Sequence, residues 1–113
     1  MSDRDWKLLF EDIIDSINAI EEFTKGLSYA DFEKNRLIAD AVVRNIEIIG
    51  EASKNIPTEI QRLFTDIPWQ KLRGIRNRIV HDYFDVNKNI IWHIVTKELE
   101  PIKKNFISHL QKD

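Results

Sequence analysis

The stretch Trp69-Gln70-Lys71-Leu72-Arg73-Gly74-Ile75-Arg76-Asn77-Arg78-Ile79-Val80-His81-Asp82-Tyr83 decides how the rest of the chain is read. At about 100° per residue, a helix over 69–80 gathers Trp69, Leu72, Ile75 and Ile79 into one apolar stripe and turns Lys71 and Arg78 to roughly the opposite side. Arg76 falls only about 50° from the centre of that stripe. A guanidinium there must snorkel to a rim, pair with a carboxylate or line a cleft. Between Lys71 and His81 lie four Lys and Arg side chains and no carboxylate, in a chain of formal net charge -2. Positive charge is thus concentrated beside a histidine, the side chain best placed to trade protons near neutral pH. That makes a candidate site for phosphate chemistry. On an ideal helix His81 stands about 140° around from Arg76, so the two meet only if the helix unwinds near His81 or a second subunit supplies the partner.

Working outward, Ser2 is placed to cap a helix whose apolar positions Trp6, Leu9, Phe10, Ile13, Ile17 and Ile20 follow helical spacing, and Gly26 supplies a left-handed stop. Ser28 and Asp31 resemble a capping box opening a long second helix that runs to about Asn55, with Phe32, Ala39, Val42, Val43, Ile46 and Ile49 on its core face. Thr58 is expected to cap a short turn through Phe64, and Asp66 and Pro68 mark the start of the helix carrying Arg76. Asn87 caps a last helix with Ile91, Ile94, Val95, Ile102, Phe106 and Leu110 at helical spacing, and Pro101 should kink or split it near Glu98 to Glu100. No alternating run bounded by turn residues reads as a strand. The expectation is an all-α fold, an antiparallel bundle of four to five helices forming a single domain over residues 1–113.

Apolar residues at 42% and charged residues at 32% fit a folded domain rather than a disordered chain. The absence of cysteine excludes disulfides and thiolate metal sites, and a reducing cytoplasm is the expected location. No basic segment leads into an apolar core at the N-terminus, and no run reaches the roughly 18 apolar residues of a membrane span. Residues 1–22 carry seven carboxylates against Arg4 and Lys7, so the basic stretch could hold nucleic acid on an otherwise acidic chain, although solvated helix faces would give the same asymmetry. His93 and His109 lack the spacing of a metal site, and neither a metal nor a cofactor is expected. Ser53 and Ser108 sit in ordinary helical contexts and give no nucleophile. Glu47 and Glu51, one turn apart, either position Arg76, meet a partner, or are plain surface residues.

Arg76-Asn77-Arg78-Ile79-Val80-His81 resembles the Arg-polar-X3-His signature of the HEPN superfamily, with Asn77 in the polar position, and the continuation to Tyr83 resembles the HepT toxin branch. Ile49-Gly50-Glu51-Ala52, Ile67-Pro68-Trp69 and the segment from Val86 to Thr96 agree in order and spacing, so the likeness covers nearly the whole chain. It implies a HEPN-like all-α homodimer, the toxin of a toxin-antitoxin pair, acting as a metal-independent endoribonuclease. It further implies a minimal nucleotidyltransferase antitoxin of the MntA type that silences the toxin by adding AMP to the motif tyrosine. By position, Arg76 and His81 are then the catalytic pair, Asn77 the supporting polar residue and Tyr83 the modification target, with Lys71, Arg73 and Arg78 along the RNA backbone.

The residue types suit that chemistry. A 2′-hydroxyl can attack the adjacent phosphate without metal, given an acid, a base and positive charge on the developing phosphorane. A twofold dimer would supply a second His81 and Arg76. Two other readings stay open: a non-catalytic module of the same fold that docks onto a minimal nucleotidyltransferase, and a purely structural bundle with Arg76 in an internal ion pair.

Overall fold

The computed structural model describes residues 5–79 and 87–111, and among them every regular element is helical. Helix α1, Trp6–Thr24, begins at Asp5, whose carboxylate accepts the Lys7 N–H at 2.8 Å. Asp5 therefore fills the capping role expected of Ser2, which lies outside the described residues. Gly26, at φ 77°, makes the left-handed stop. Ser28 then opens helix α2, Tyr29–Lys34, through the reciprocal box: its hydroxyl accepts from the Asp31 N–H and its own N–H donates to the Asp31 carboxylate. Those bonds hold the Asp31 carboxyl below its ordinary value.

The long second helix expected from the sequence is in fact two. Asn35 leaves helical geometry at φ -104°, ψ 89°, donates its N–H to the Phe32 carbonyl and accepts the Ile38 N–H on its side chain, so it ends α2 and caps α3, Arg36–Asn55. An Asn side chain competes with helical hydrogen bonding in this way wherever the chain must turn. Helix α4, Thr58–Leu63, has Pro57 rather than Thr58 at its cap, and no side chain closes it. The helix expected over 69–80 also breaks, at Gly74. It gives α5, Trp69–Arg73, and α6, Ile75–Ile79, with the Gly74 N–H returning to the Gln70 and Leu72 carbonyls. Asn87 caps α7, Lys88–His93, accepting the Ile90 N–H. A π turn over Ile94–Glu98 then leads without a break into α8, Leu99–Gln111. Its widened register, with Leu99 N–H bonding back to the Ile94 carbonyl, eases the clash that Pro101 would make with the carbonyl four residues earlier.

The core lies between α1, α3 and α8. Leu9, near the start of α1, shares a surface hollow with Ala52 and Asn55 at the end of α3. Lys103, early in α8, bonds Asn18 and Glu21 late in α1. Each neighbour of α1 therefore runs antiparallel to it. The expected apolar positions of α1, α3 and the 69–79 segment are buried, with Val43 and Trp6 partly so. Phe10 sits at the centre of one end, edge-on to Phe106 at 4.7 Å and against Trp6, Phe64 and Trp69. Each such aromatic pair adds about 1 kcal/mol beyond area burial. The buried hydroxyls of Thr24 and Ser53 donate to carbonyls one turn back, so neither is left unsatisfied.

Candidate functional site

The placement of the basic stretch starts at Gly50. A β-carbon built there would stand 3.3 Å from Ile75 Cγ2 and 3.7 Å from the Leu72 carbonyl oxygen, so the absent side chain lets the α5–α6 break press onto α3. With Ile75 and Ile79 sunk into the core, the rest of the five-residue helix α6 is forced outward. Arg76 emerges over α3, where it lines an open concavity of about 290 Å³ with Arg44, Glu47, Ile48 and Glu51. Of the three fates open to an arginine so near the stripe, it takes the cleft rim. Among the described residues it has no hydrogen-bond or ion-pair partner, and neither Glu47 nor Glu51 bonds it. Asn77 is exposed beside it, its N–H bonded to the Gly74 carbonyl at 3.0 Å.

Arg78 is treated differently. Its two terminal nitrogens donate to the two oxygens of Glu98 at 2.9 and 2.7 Å. Lys71 Nζ approaches the same carboxylate at 3.4 Å and His93 Nε2 at 3.3 Å. The Glu98 side chain is only 9% exposed, and the Arg78 hydrogen bonds hold its carboxyl below the ordinary carboxylate value against the desolvation that would raise it. Arg78 is pushed up in turn by the same bonds. Arg73 donates instead to Gln61 Oε1 on α4 at 2.7 Å.

The cations that are neighbours in sequence therefore fan out: Lys71 and Arg78 to the π turn, Arg73 to α4, Arg76 to the α3 face. Of these cations only Lys71 and Arg78 are brought together, at the Glu98 carboxylate. His81 and Tyr83 lie outside the described residues. The chain ends flanking 80–86 are joined by a bond from the Asn87 N–H to the Ile79 carbonyl at 2.8 Å.

Glu98 is the residue that the sequence reading passes over, treating it only as the neighbourhood of a kink. The signal was present. Glu98 stands seven positions after Ile91, four after Ile94 and four before Ile102, a carboxylate in the apolar register of the last helix. Such a position demands a cationic partner. Among the described residues no group of three His, Asp or Glu side chains could hold a metal ion, and no helix is long and apolar enough to cross a membrane.

Comparison with known proteins agrees with the motif. The family model described as "Ribonuclease HepT-like" matches residues 13–109. A Methanocaldococcus jannaschii protein named "Putative RNase MJ1380" is 41% identical over 104 residues, covering 92% of this chain and 95% of that one. A Thermococcus cleftensis protein named "Probable ribonuclease HepT" is 40% identical over 103 residues, 91% of this chain and 94% of its own. A Caldanaerobacter subterraneus protein named "Putative RNase TTE0752" is 39% identical over 103 residues, 91% and 92% of the two chains. No solved structure matches significantly.

Proposed function

Since this chain belongs to the HepT-like ribonuclease family, we propose that it is a metal-independent endoribonuclease, the toxin of a toxin-antitoxin pair, working in the cytoplasm as a homodimer. The observation that carries the reading is the contrast within α6: Arg78 is taken up by Glu98, whereas Arg76 stands at an open rim with no partner among the described residues. A guanidinium left so is available to a phosphate, which it can grip through two parallel hydrogen bonds.

In the reaction, His81 takes the proton of the ribose 2′-hydroxyl as its oxygen bonds to phosphorus. Arg76 offsets the charge growing on the non-bridging oxygens. The bond from phosphorus to the 5′-oxygen breaks, and that oxygen leaves with a proton from the second subunit's imidazolium. The products are a 2′,3′-cyclic phosphate and a 5′-hydroxyl. Asn77 supports the pair. Lys71, Arg73 and Arg78 reach the RNA backbone only by sharing or leaving their present protein partners. The face around Arg76 suits a twofold contact, since Ile48, 37% exposed, is ringed by Arg44, Glu47 and Glu51, and a surface of mixed charge can match a copy of itself.

Silencing follows from Tyr83. AMP added by a minimal nucleotidyltransferase antitoxin would put negative charge and bulk two residues from His81, where an RNA phosphate must come. The test is RNA incubated with the protein in chelator. Wild type cuts it to cyclic-phosphate ends and His81→Ala does not; cleavage by His81→Ala at the wild-type rate rejects the mechanism. Intact RNA together with a stable nucleotidyltransferase complex would instead establish a docking module.

A further inference from the structure

Helix α6 has five residues, too few to hold itself by its own hydrogen bonds, so its orientation comes from what it touches. Ile75 and Ile79, both buried, set its depth and broad facing, but apolar contacts are non-directional and define the fine rotation of so short a helix less sharply than a hydrogen bond does. The Arg78–Glu98 pair is different: a planar fork on two oxygens fixes direction as well as distance. Glu98 also draws Lys71 of α5 and His93 of α7, so one carboxylate ties together the elements on either side of the motif. It sits on a π turn, a geometry enriched at functional sites. A roll of 20° about α6 would carry the Arg76 guanidinium, roughly 6 Å from the axis, through about 2 Å. Misplacement of about 1 Å can cost on the order of a hundredfold in rate.

We propose that Glu98 is a positioning residue for the ribonuclease reaction, setting through Arg78 the rotation of α6 and hence the aim of Arg76. The assignment rests on the nuclease reading above. The full-length Glu98→Gln and Glu98→Asp variants test it through steady-state RNA cleavage and backbone hydrogen exchange over residues 75–79. Glu98→Gln should lose at least about tenfold in kcat with KM within about threefold of wild type, and its α6 amides should gain at least about tenfold in exchange rate beyond any gain that global destabilisation gives the amides of α1 and α3. Glu98→Asp, which keeps the charge, should recover part of the lost kcat.

Unchanged exchange over 75–79 overturns the proposal, as does a kcat within about twofold of wild type. A change in KM alone also overturns it, because Glu98 would then be acting on RNA binding by masking Lys71 and Arg78. Wild-type protein that leaves RNA intact is a separate result: it rejects the nuclease reading itself, and the positioning role falls with it.

Discussion

Arg78 and Glu98, twenty positions apart in the chain, share a two-pronged contact at 2.9 and 2.7 Å, while Arg76, two residues earlier on the same short helix, bonds no described residue. One helix thus commits one guanidinium to its own packing and holds the other out over α3. Stability and activity should come apart when the two are removed in turn.

Arg76→Ala deletes an exposed side chain with no bonding partner among the described residues, and its melting should stay within about 0.5 kcal/mol of wild type. RNA cleavage should nevertheless fall by about a hundredfold or more, the scale seen when one charge-stabilising donor is removed. Arg76→Lys keeps the charge but loses the fork, and should recover little. Thermal melting and a cleavage assay on the same preparations decide it.

Arg78→Ala should show the reverse emphasis in stability. It strips the nearly buried Glu98 carboxylate of its main partner, leaving Lys71 and His93, at a cost of about 1–3 kcal/mol in denaturant unfolding.

The same pair predicts a pH dependence. The folded-state carboxyl of Glu98 lies below its ordinary value of 4.5, chiefly through the Arg78 hydrogen bonds, so between the two values the unfolded chain binds more protons. Its contribution is present above the unfolded value and is lost as pH falls through the folded one. Unfolding free energies of wild type and Glu98→Gln should differ at pH 7 by about 1–2 kcal/mol and converge as the pH falls below the ordinary carboxyl value and through the lower folded one.

Gly50 offers a graded probe. Gly50→Ala sets a tight 3.3 Å contact with Ile75 against the gain of a better helix former, about 1 kcal/mol, and should be close to neutral. Gly50→Val cannot be absorbed in the same way and should destabilise by about 1–3 kcal/mol in urea unfolding. It should also depress cleavage more than folded fraction alone explains, because Ile75 carries the helix of Arg76.

Much of this architecture can be read from the chain. The stripe of α1, the stop at Gly26, the Ser28 box and the Asn87 cap are all local signals, and each appears where its residues put it, whereas the kink or split expected from Pro101 near Glu98 to Glu100 is instead a π turn over Ile94–Glu98 in an unbroken helix. The two missed breaks share a physical cause. Phe32 and Ala39 are seven apart, and Leu72, Ile75 and Ile79 are three and four apart, so the apolar rhythm passes in phase straight through Asn35 and Gly74. Periodicity cannot register an interruption that preserves phase. The partnership of Arg78 with Glu98 was also out of reach, since a helical wheel gives direction but not which distant residue waits there. Only the misplaced polarity of Glu98 announced that something must.

A π turn is what remains when one extra residue is accommodated in an α-helix. Winding Ile94–Glu98 as ordinary α-helix with the same number of residues would swing everything upstream by about 100° relative to α8. Two carboxylate oxygens could not then face the fork of Arg78. This small irregularity therefore works as a phase gauge: the helix can be shortened or extended at its far end, but its winding here is locked to the geometry of another element.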